Sequence, residues 1–310
     1  MKIVVAGATG LVGSSLIRVF QKNGHEVIGL SRDLVDLRNF EETTKILSDI
    51  SPDVLVDAAA KVGGIGANQE YPVEFLSENL SIQQNLMFAS HKARVRKFVF
   101  LGSSCIYPRD CPQPIDENYL MSGPLETSNS AYAVAKIAGI ELINSFRREY
   151  GSTWISLMPT NLYGPGDNFN LDSSHVMPAL IRRFVEGSES SARRITLWGT
   201  GSPLREFLHV DDLGAAVLIA IEHYDSSLHL NIGTGNEVSI KELAQRVANY
   251  AGYSGEIAWD TSKPDGTPRK VLNVSRIKAL GWEPTIGLDE GISSTIDWYK
   301  KANARGEVRK

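Results

Sequence analysis

Lys2-Ile3-Val4-Val5-Ala6-Gly7-Ala8-Thr9-Gly10-Leu11-Val12-Gly13 opens the chain, and the amphipathic stretch Ser14 to Lys22 follows it. The first five of these residues are a short apolar run of strand type. Strand, glycine turn and helix in that order are the context a dinucleotide fingerprint requires. The glycine spacing is GxxGxxG rather than GxGxxG. Glycines at such a turn let the backbone approach a pyrophosphate, which then rests on the helix N-terminus. Gly7, Ala8, Thr9, Gly10, Leu11, Val12 and Gly13 are therefore candidate cofactor contacts. A tight turn with no ligand is the plainer alternative, and the flanking strand and helix weigh against it. The next strand pattern, Glu26 to Leu30, ends in Ser31-Arg32. An acidic residue there would bind the ribose 2′-hydroxyl of NAD, whereas an arginine suits the 2′-phosphate of NADP. Asp33 mixes the signal; NADP is the expectation, with a solvated loop arginine as the alternative.

Working outward, Asp53 to Ala58, Phe98 to Leu101 and Ile155 to Met158 read as further strands separated by helical patterns. That alternation predicts an α/β fold with a doubly wound parallel sheet, the Rossmann arrangement. The Gly- and Asn-rich stretch Gly164 to Asn170 marks a boundary, after which the pattern turns irregular. Leu213 to His223 and Leu228 to Gly233 read as a helix and strand that return to the nucleotide domain. The expected division is residues 1–165 for the cofactor, joined by residues near 210–235, and 166–310 mainly for a smaller substrate domain.

The 310 residues carry a formal net charge of −4, which gives no electrostatic support to a nucleic-acid or membrane-surface role. No apolar run approaches a membrane span. Gly7 and Gly10 interrupt the apolar start, so no signal peptide is expected. Cys105 and Cys111 lack CxxC spacing and a histidine pair at ligand spacing, so neither a metal site nor a disulfide framework is expected. A reduced, cytoplasmic setting follows from that cysteine usage.

Tyr132 and Lys136 stand in the Ala-rich run Ala131 to Ile140, at the spacing that puts two side chains on one helix face. A fixed ammonium beside a tyrosine stabilises its phenolate, so the Tyr132 phenol is expected to fall toward neutrality. A tyrosine so tuned exchanges a proton with a carbonyl or alcohol oxygen. Phe98 to Leu101 runs straight into Gly102-Ser103-Ser104-Cys105. A Ser103 hydroxyl at that strand end is placed to hold the same oxygen, and a thiol follows two residues on. Taken alone, YxxxK occurs by chance in many helices.

The glycine turn, Ser103 and the Tyr132/Lys136 pair together resemble the extended short-chain dehydrogenase/reductase family, over the whole chain. Arg205-Glu206-Phe207-Leu208-His209-Val210-Asp211-Asp212 resembles its mid-chain segment, and Leu280-Gly281-Trp282-Glu283-Pro284 its C-terminal one. Within the family the likeness is greatest to members that epimerise and reduce GDP-4-keto-6-deoxy sugars. The runs Leu101 to Pro108, Met158 to Pro165, Ser174-His175-Val176 and Asp265 to Lys270 carry it. The resemblance implies NADP(H) as cofactor and a GDP-4-keto-6-deoxy sugar as substrate. It also implies a homodimer built through Ser77 to His91 and the Tyr132-bearing helix.

The resemblance further assigns Cys105 as the base and His175 as the acid of epimerisation, with His175 also beside the cofactor. It places Pro159, Thr160, Asn161 and Leu162 beside the nicotinamide, and Asp36 and Leu37 beside adenine. Arg183, Arg205 and Lys270 match diphosphate or sugar contacts, Trp198 a base or ribose contact, and Asp265 a hydroxyl contact. Each has a plainer alternative. A free cysteine is commonly a small buried hydrophobe. His175 is in a loop, Trp198 suits a core, and the arginines suit solvated helix faces. His209 reads as a satisfied structural group; His25, His91, His223 and His229 read as surface or element-end residues. A 4,6-dehydratase would carry an Asp-Glu pair where Ser104-Cys105 stand. A non-catalytic NADP-binding relative would commonly lack Tyr132 or Lys136. A plain 4-reductase of a related GDP-keto sugar stays open.

Overall fold

The computed structural model describes residues 1–263 and 265–309. Six strands, β1 (Lys2–Ala6), β2 (Glu26–Leu30), β3 (Val54–Asp57), β4 (Lys97–Leu101), β5 (Ile155–Pro159) and β6 (Leu230–Ile232), form one sheet. Their order is β6-β5-β4-β3-β1-β2, and every neighbouring pair is parallel. A parallel sheet is covered on both faces, which is why β1, β3, β4 and β5 are near-continuous apolar runs rather than alternating ones. The edge strand β2 is the partly solvated one. Helices Leu11–Lys22, Phe40–Ile50, Pro72–Lys92, Ser130–Tyr150 and Val210–His223 supply the crossovers. Observed bounds differ from the sequence expectation by a few residues: the first helix begins at Leu11, inside the glycine run, and the Tyr132-bearing helix extends to Tyr150.

The chain leaves β1 toward β2 on one side and returns to β3 on the other, so the strand order reverses between β1 and β3. A crevice opens at the carboxyl ends of such strands. Gly139 brings the Ser130–Tyr150 helix tight against the sheet: a Cβ there would sit 2.3 Å from the Phe100 ring. That close approach carries Tyr132 and Lys136 to the end of β4.

A second apolar core is built by Tyr163, Phe169, Phe184, Val247, Ile292 and Tyr299 with their neighbours. It lies among helices Val176–Glu189, Ile240–Ala251 and Leu288–Ala304, beside the parallel strand pair Arg194–Trp198 and Glu256–Asp260. A small ribbon joins the two bodies. Arg269–Lys270 pairs parallel with Leu204–Arg205, with Lys270 opposite Arg205. The chain after Lys270 then clamps onto the larger body: Ile115 N–H donates to the Val271 carbonyl and Asn273 N–H to the Ile115 carbonyl, each at 2.8 Å. Leu272, Val274, Ile277 and Trp282 pack into the larger core.

Candidate active site

β4 ends at Leu101, and the chain turns through Gly102 into the short 3-10 turn Ser104–Ile106. Ser103 Oγ caps that turn by accepting from the Cys105 N–H at 3.3 Å. The turn is anchored behind by Tyr107, whose buried hydroxyl meets His229 Nε2 at 3.0 Å and donates to Asn231 Oδ1. Lys270 reaches over from the ribbon and donates to Cys105 Sγ at 3.4 Å. Burial alone would push the Cys105 thiol up. The Lys270 charge, with hydrogen bonds from Ser103, Lys270 and Asn129, outweighs burial and holds the thiol below its ordinary value.

Tyr132 and Lys136 sit one turn apart, with Lys136 Nζ 5.8 Å from the Tyr132 ring centroid. Lys136 is buried and donates to the Leu101 carbonyl at 2.9 Å. Here the structure corrects the expectation that Lys136 draws the Tyr132 phenol toward neutrality. Burial, then the nearby Cys105 and Asp57, raise the phenol above its ordinary value, so it holds its proton. Burial also lowers Lys136, against the opposing pull of Asp57.

His175 stands at the N-terminus of the Val176–Glu189 helix without capping it through its side chain. Burial, and then the Lys270 charge, lower His175 below its usual value. Arg205 lies half-buried beside Lys270, and Cys105 and Asp265 oppose the lowering that its burial causes. Asp265 accepts from the Thr200 N–H and hydroxyl, both at 2.7 Å. Trp198 is 69% exposed, with Lys263 Nζ 5.5 Å from its ring centroid. Ser103, Cys105, Tyr132, Lys136, His175, Arg205 and Lys270 are therefore brought together, and Asp265 acts on Arg205 from beside Gly199, next to Trp198. Arg183 is half-buried and makes no ion pair or hydrogen bond among the described residues.

The crevice between β1 and β3 fits a dinucleotide. Gly7 has φ +80°, and a Cβ on it would sit 2.6 Å from the Ala58 carbonyl oxygen. A Cβ on Gly13 would sit 2.1 Å from the Gly7 carbonyl oxygen. Ala8 N–H donates to the Leu30 carbonyl, which fixes the loop that carries Thr9. The helix at Leu11, Val12 and Gly13 has neither a side-chain cap nor an acidic residue in its first turn. Its leading amides are thus free to meet an anion. Arg32 is exposed at the end of β2 and unpaired among the described residues. Asp36 is turned to Arg38 at 2.9 Å, and the Leu37 carbonyl accepts from Asn85. At the end of β5, beyond Pro159, Thr160 N–H donates to the Ile232 carbonyl, Asn161 Nδ2 donates to the Glu206 carbonyl, and Leu162 is half-buried.

This glycine cradle, with Ser103, Tyr132 and Lys136 beside it, is matched by a family model over residues 3–233, that of the NAD dependent epimerase/dehydratase family. The chain belongs to that family. Its relatives include a probable GDP-L-fucose synthase 1 of Oryza sativa subsp. japonica, 51% identical, covering 96% of this chain and 92% of that protein. The GDP-L-fucose synthase of Escherichia coli (strain K12) is 45% identical and covers 96% of both chains. Among solved structures, a GDP-L-fucose synthetase of Naegleria fowleri bound to NADP superposes with a TM-score of 0.91 at 27% identity, over 100% of this chain and 96% of that one.

Two histidine readings need correction. His229 does stand at an element end, just before β6, but is buried at the back of the Cys105 turn, not at the surface. His209 is buried but only half satisfied: Nδ1 accepts from the Asp211 N–H at 3.3 Å, and Nε2 has no partner. Sequence reasoning also missed Asn129, Glu206 and Asp57. Asp57 had a signal, since an aspartate closing the run Val54-Leu55-Val56 is depleted in strands and seldom buried.

Proposed function

We propose that the protein is an NADP-dependent epimerase and reductase that converts GDP-4-keto-6-deoxy-D-mannose to GDP-L-fucose. One observation carries the reading: a thiol held low by a lysine shares a cleft with a tyrosine that keeps its proton. Reduction alone needs Ser103, Tyr132 and Lys136. A base for carbon is the extra requirement of epimerisation, and Cys105 meets it.

The protons on C3 and C5 of the sugar are acidified by the C4 carbonyl. Cys105 takes each proton as a thiolate, and the electron pair moves onto the C4 oxygen as an enolate. Ser103 and Tyr132 donate hydrogen bonds to that oxygen. His175, in its protonated form, returns a proton to the opposite face of the carbon, which inverts it; exchange with solvent then restores the Cys105 thiolate and the His175 proton before the second carbon reacts. Bound in the glycine cradle, NADPH supplies the hydride for C4. Tyr132 gives the C4 oxygen its proton, and the fixed Lys136 ammonium beside the ring stabilises the phenolate that is left. Arg183, Arg205 and Lys270 meet the diphosphate or the sugar with bidentate and point charges, Trp198 the base or ribose, and Asp265 a ribose or sugar hydroxyl. We assign residues 1–165 and the return near 210–235 to the cofactor, and most of 166–310 to the sugar nucleotide. Proton NMR of the product formed from GDP-4-keto-6-deoxy-D-mannose and NADPH in deuterated water tests the assignment. GDP-L-fucose with deuterium at C3 and C5 is the expected product; a product without exchange at these carbons rejects it.

Arg32 supports NADPH over NADH. Arg32→Asp is expected to lower kcat/KM with NADPH by about tenfold or more, and to raise the relative efficiency with NADH, because a charge-assisted phosphate contact becomes a repulsion. Steady-state kinetics with both cofactors measures this, and an unchanged ratio removes Arg32 from the site.

We also propose a homodimer through the packed helices Pro72–Lys92 and Ser130–Tyr150. Val73, Phe88, Val134 and Tyr150 stay exposed on this pair. Sedimentation should give twice the 34.0 kDa chain mass, and Phe88→Glu with Val134→Glu should give monomer. No described helix is long and apolar enough to cross a membrane.

A further inference from the structure

Asp57 is a buried carboxylate for which the chemistry above has no role. It ends β3 at the point where the strand order reverses, and it is fully buried. One oxygen accepts from the Ala59 N–H at 3.1 Å; the other, Oδ2, has no hydrogen-bond partner. A carboxylate in such a place needs something to offset its lost hydration.

Register identifies the compensating group. Asp57 is paired with Phe100 across β3 and β4, so the two side chains project from the same face of the sheet. That face is the one covered by the Ser130–Tyr150 helix, since Gly139 of that helix abuts the Phe100 ring. Lys136 Nζ lies over the same ring, 4.8 Å from its centroid. Asp57 and Lys136 thus occupy one dry compartment beside Phe100. They form no direct ion pair; the Lys136 ammonium donates instead to the Leu101 carbonyl. Tyr132 is faced by Cys105 from the turn after β4 and by Asp57 from β3. Lys270 lies beyond Cys105, and His175 beyond Lys270.

We propose that Asp57 is a positioning residue of the reductive site, the buried counter-ion that keeps Lys136 an ammonium. The inference rests on the reading of Tyr132 and Lys136 given above. Burial drives Lys136 toward the neutral amine, and the Asp57 charge opposes it. Reciprocally, burial pushes Asp57 up to about 6, and Lys136 opposes that. The same negative charge works against ionisation of Tyr132, so the phenol stays a donor, the form that ketone reduction uses.

A double-mutant cycle on unfolding tests the pairing, with Asp57→Asn, Lys136→Met and the double variant. Each single change leaves one buried charge without its partner, whereas the double change removes both. The double variant should therefore be more stable than the sum of the singles, by about tenfold in the unfolding constant at about pH 8. Asp57 becomes neutral below about 6, so the coupling should shrink to about threefold or less at about pH 5. Additive effects at both pH values overturn the proposal. If Asp57→Asn does not fold, Asp57→Leu, an apolar side chain of similar size, is read in the same cycle. NADPH titration by fluorescence adds a second readout. The family resemblance also counts Lys136 among the cofactor contacts, so affinity should fall at a lower pH in Asp57→Asn than in the parent, because Lys136 loses its proton sooner; an identical pH dependence also overturns the proposal. Neither measurement uses a sugar, so a wrong substrate assignment leaves both outcomes readable.

Discussion

Tyr132→Phe is expected to slow reduction at C4 by about 10²–10⁴-fold, the usual loss when one general acid is removed. NADPH affinity should stay near that of the parent, because the hydroxyl takes no part in the glycine cradle. The change is conservative in packing: the ring edge against Phe75, with centroids 6.4 Å apart at 75°, is kept. Loss of rate is then loss of a proton donor rather than of the helix. The direction of the Tyr132 shift sets the pH dependence. A phenol raised above its ordinary value by burial, Cys105 and Asp57 keeps its proton through neutral and mildly alkaline pH. Reduction by the parent should therefore show no decline between about pH 7 and pH 9 from Tyr132 ionisation. Stopped-flow decay of NADPH absorbance across that range, with binding titrations on both proteins, measures both parts. Near-parental reduction by Tyr132→Phe rejects the assignment.

What could be read from sequence was what the local backbone demands. Gly7 and Gly13 are required by contacts with Ala58 and with Gly7 itself, and the turn that brings them together spans a few residues. Strands β1, β3, β4 and β5 were legible because burial on both faces writes them as apolar runs. Tyr132 and Lys136 were legible as a pair because helical spacing alone joins them. Lys270 and Cys105 are 165 positions apart, and only the parallel ribbon with Leu204–Arg205 brings them within reach. No periodicity encodes that contact; the resemblance to a family put both residues in the site without pairing them. The Tyr132 phenol shows where the local rule failed. Spacing saw Lys136 but not the burial of the phenol, which with Cys105 and, least, Asp57 from another strand raises it. The burial of His229 was missed for the same reason, since its partner Tyr107 lies in a loop 122 positions earlier.

Cys105→Ser separates the two half-reactions. Burial favours the neutral thiol, yet Lys270, Ser103 and Asn129 hold Cys105 below its ordinary value, so it yields a thiolate more readily than a free thiol. A serine hydroxyl in its place fills nearly the same space but does not ionise there. Deuterium incorporation at C3 and C5 should fall by about 10²–10⁴-fold. Hydride transfer to C4 should survive, because Ser103, Tyr132 and Lys136 are untouched, and unepimerised substrate should be reduced slowly to a GDP-6-deoxyhexose of D configuration. His175→Asn should give the same pattern, with a single inverted centre if it serves only one carbon. Lys270→Met tests the origin of the thiolate. Without that ammonium the thiol rises, so exchange should be slow at neutral pH and recover as pH is raised through the new value. NMR of the products, with deuterium content read at each carbon, follows all three variants. If Cys105→Ser still exchanges both carbons and yields GDP-L-fucose at the parental rate, the thiol is a packing group. The cleft would then lack a base for carbon, and reduction of a GDP-4-keto sugar without epimerisation would be the reading its geometry supports.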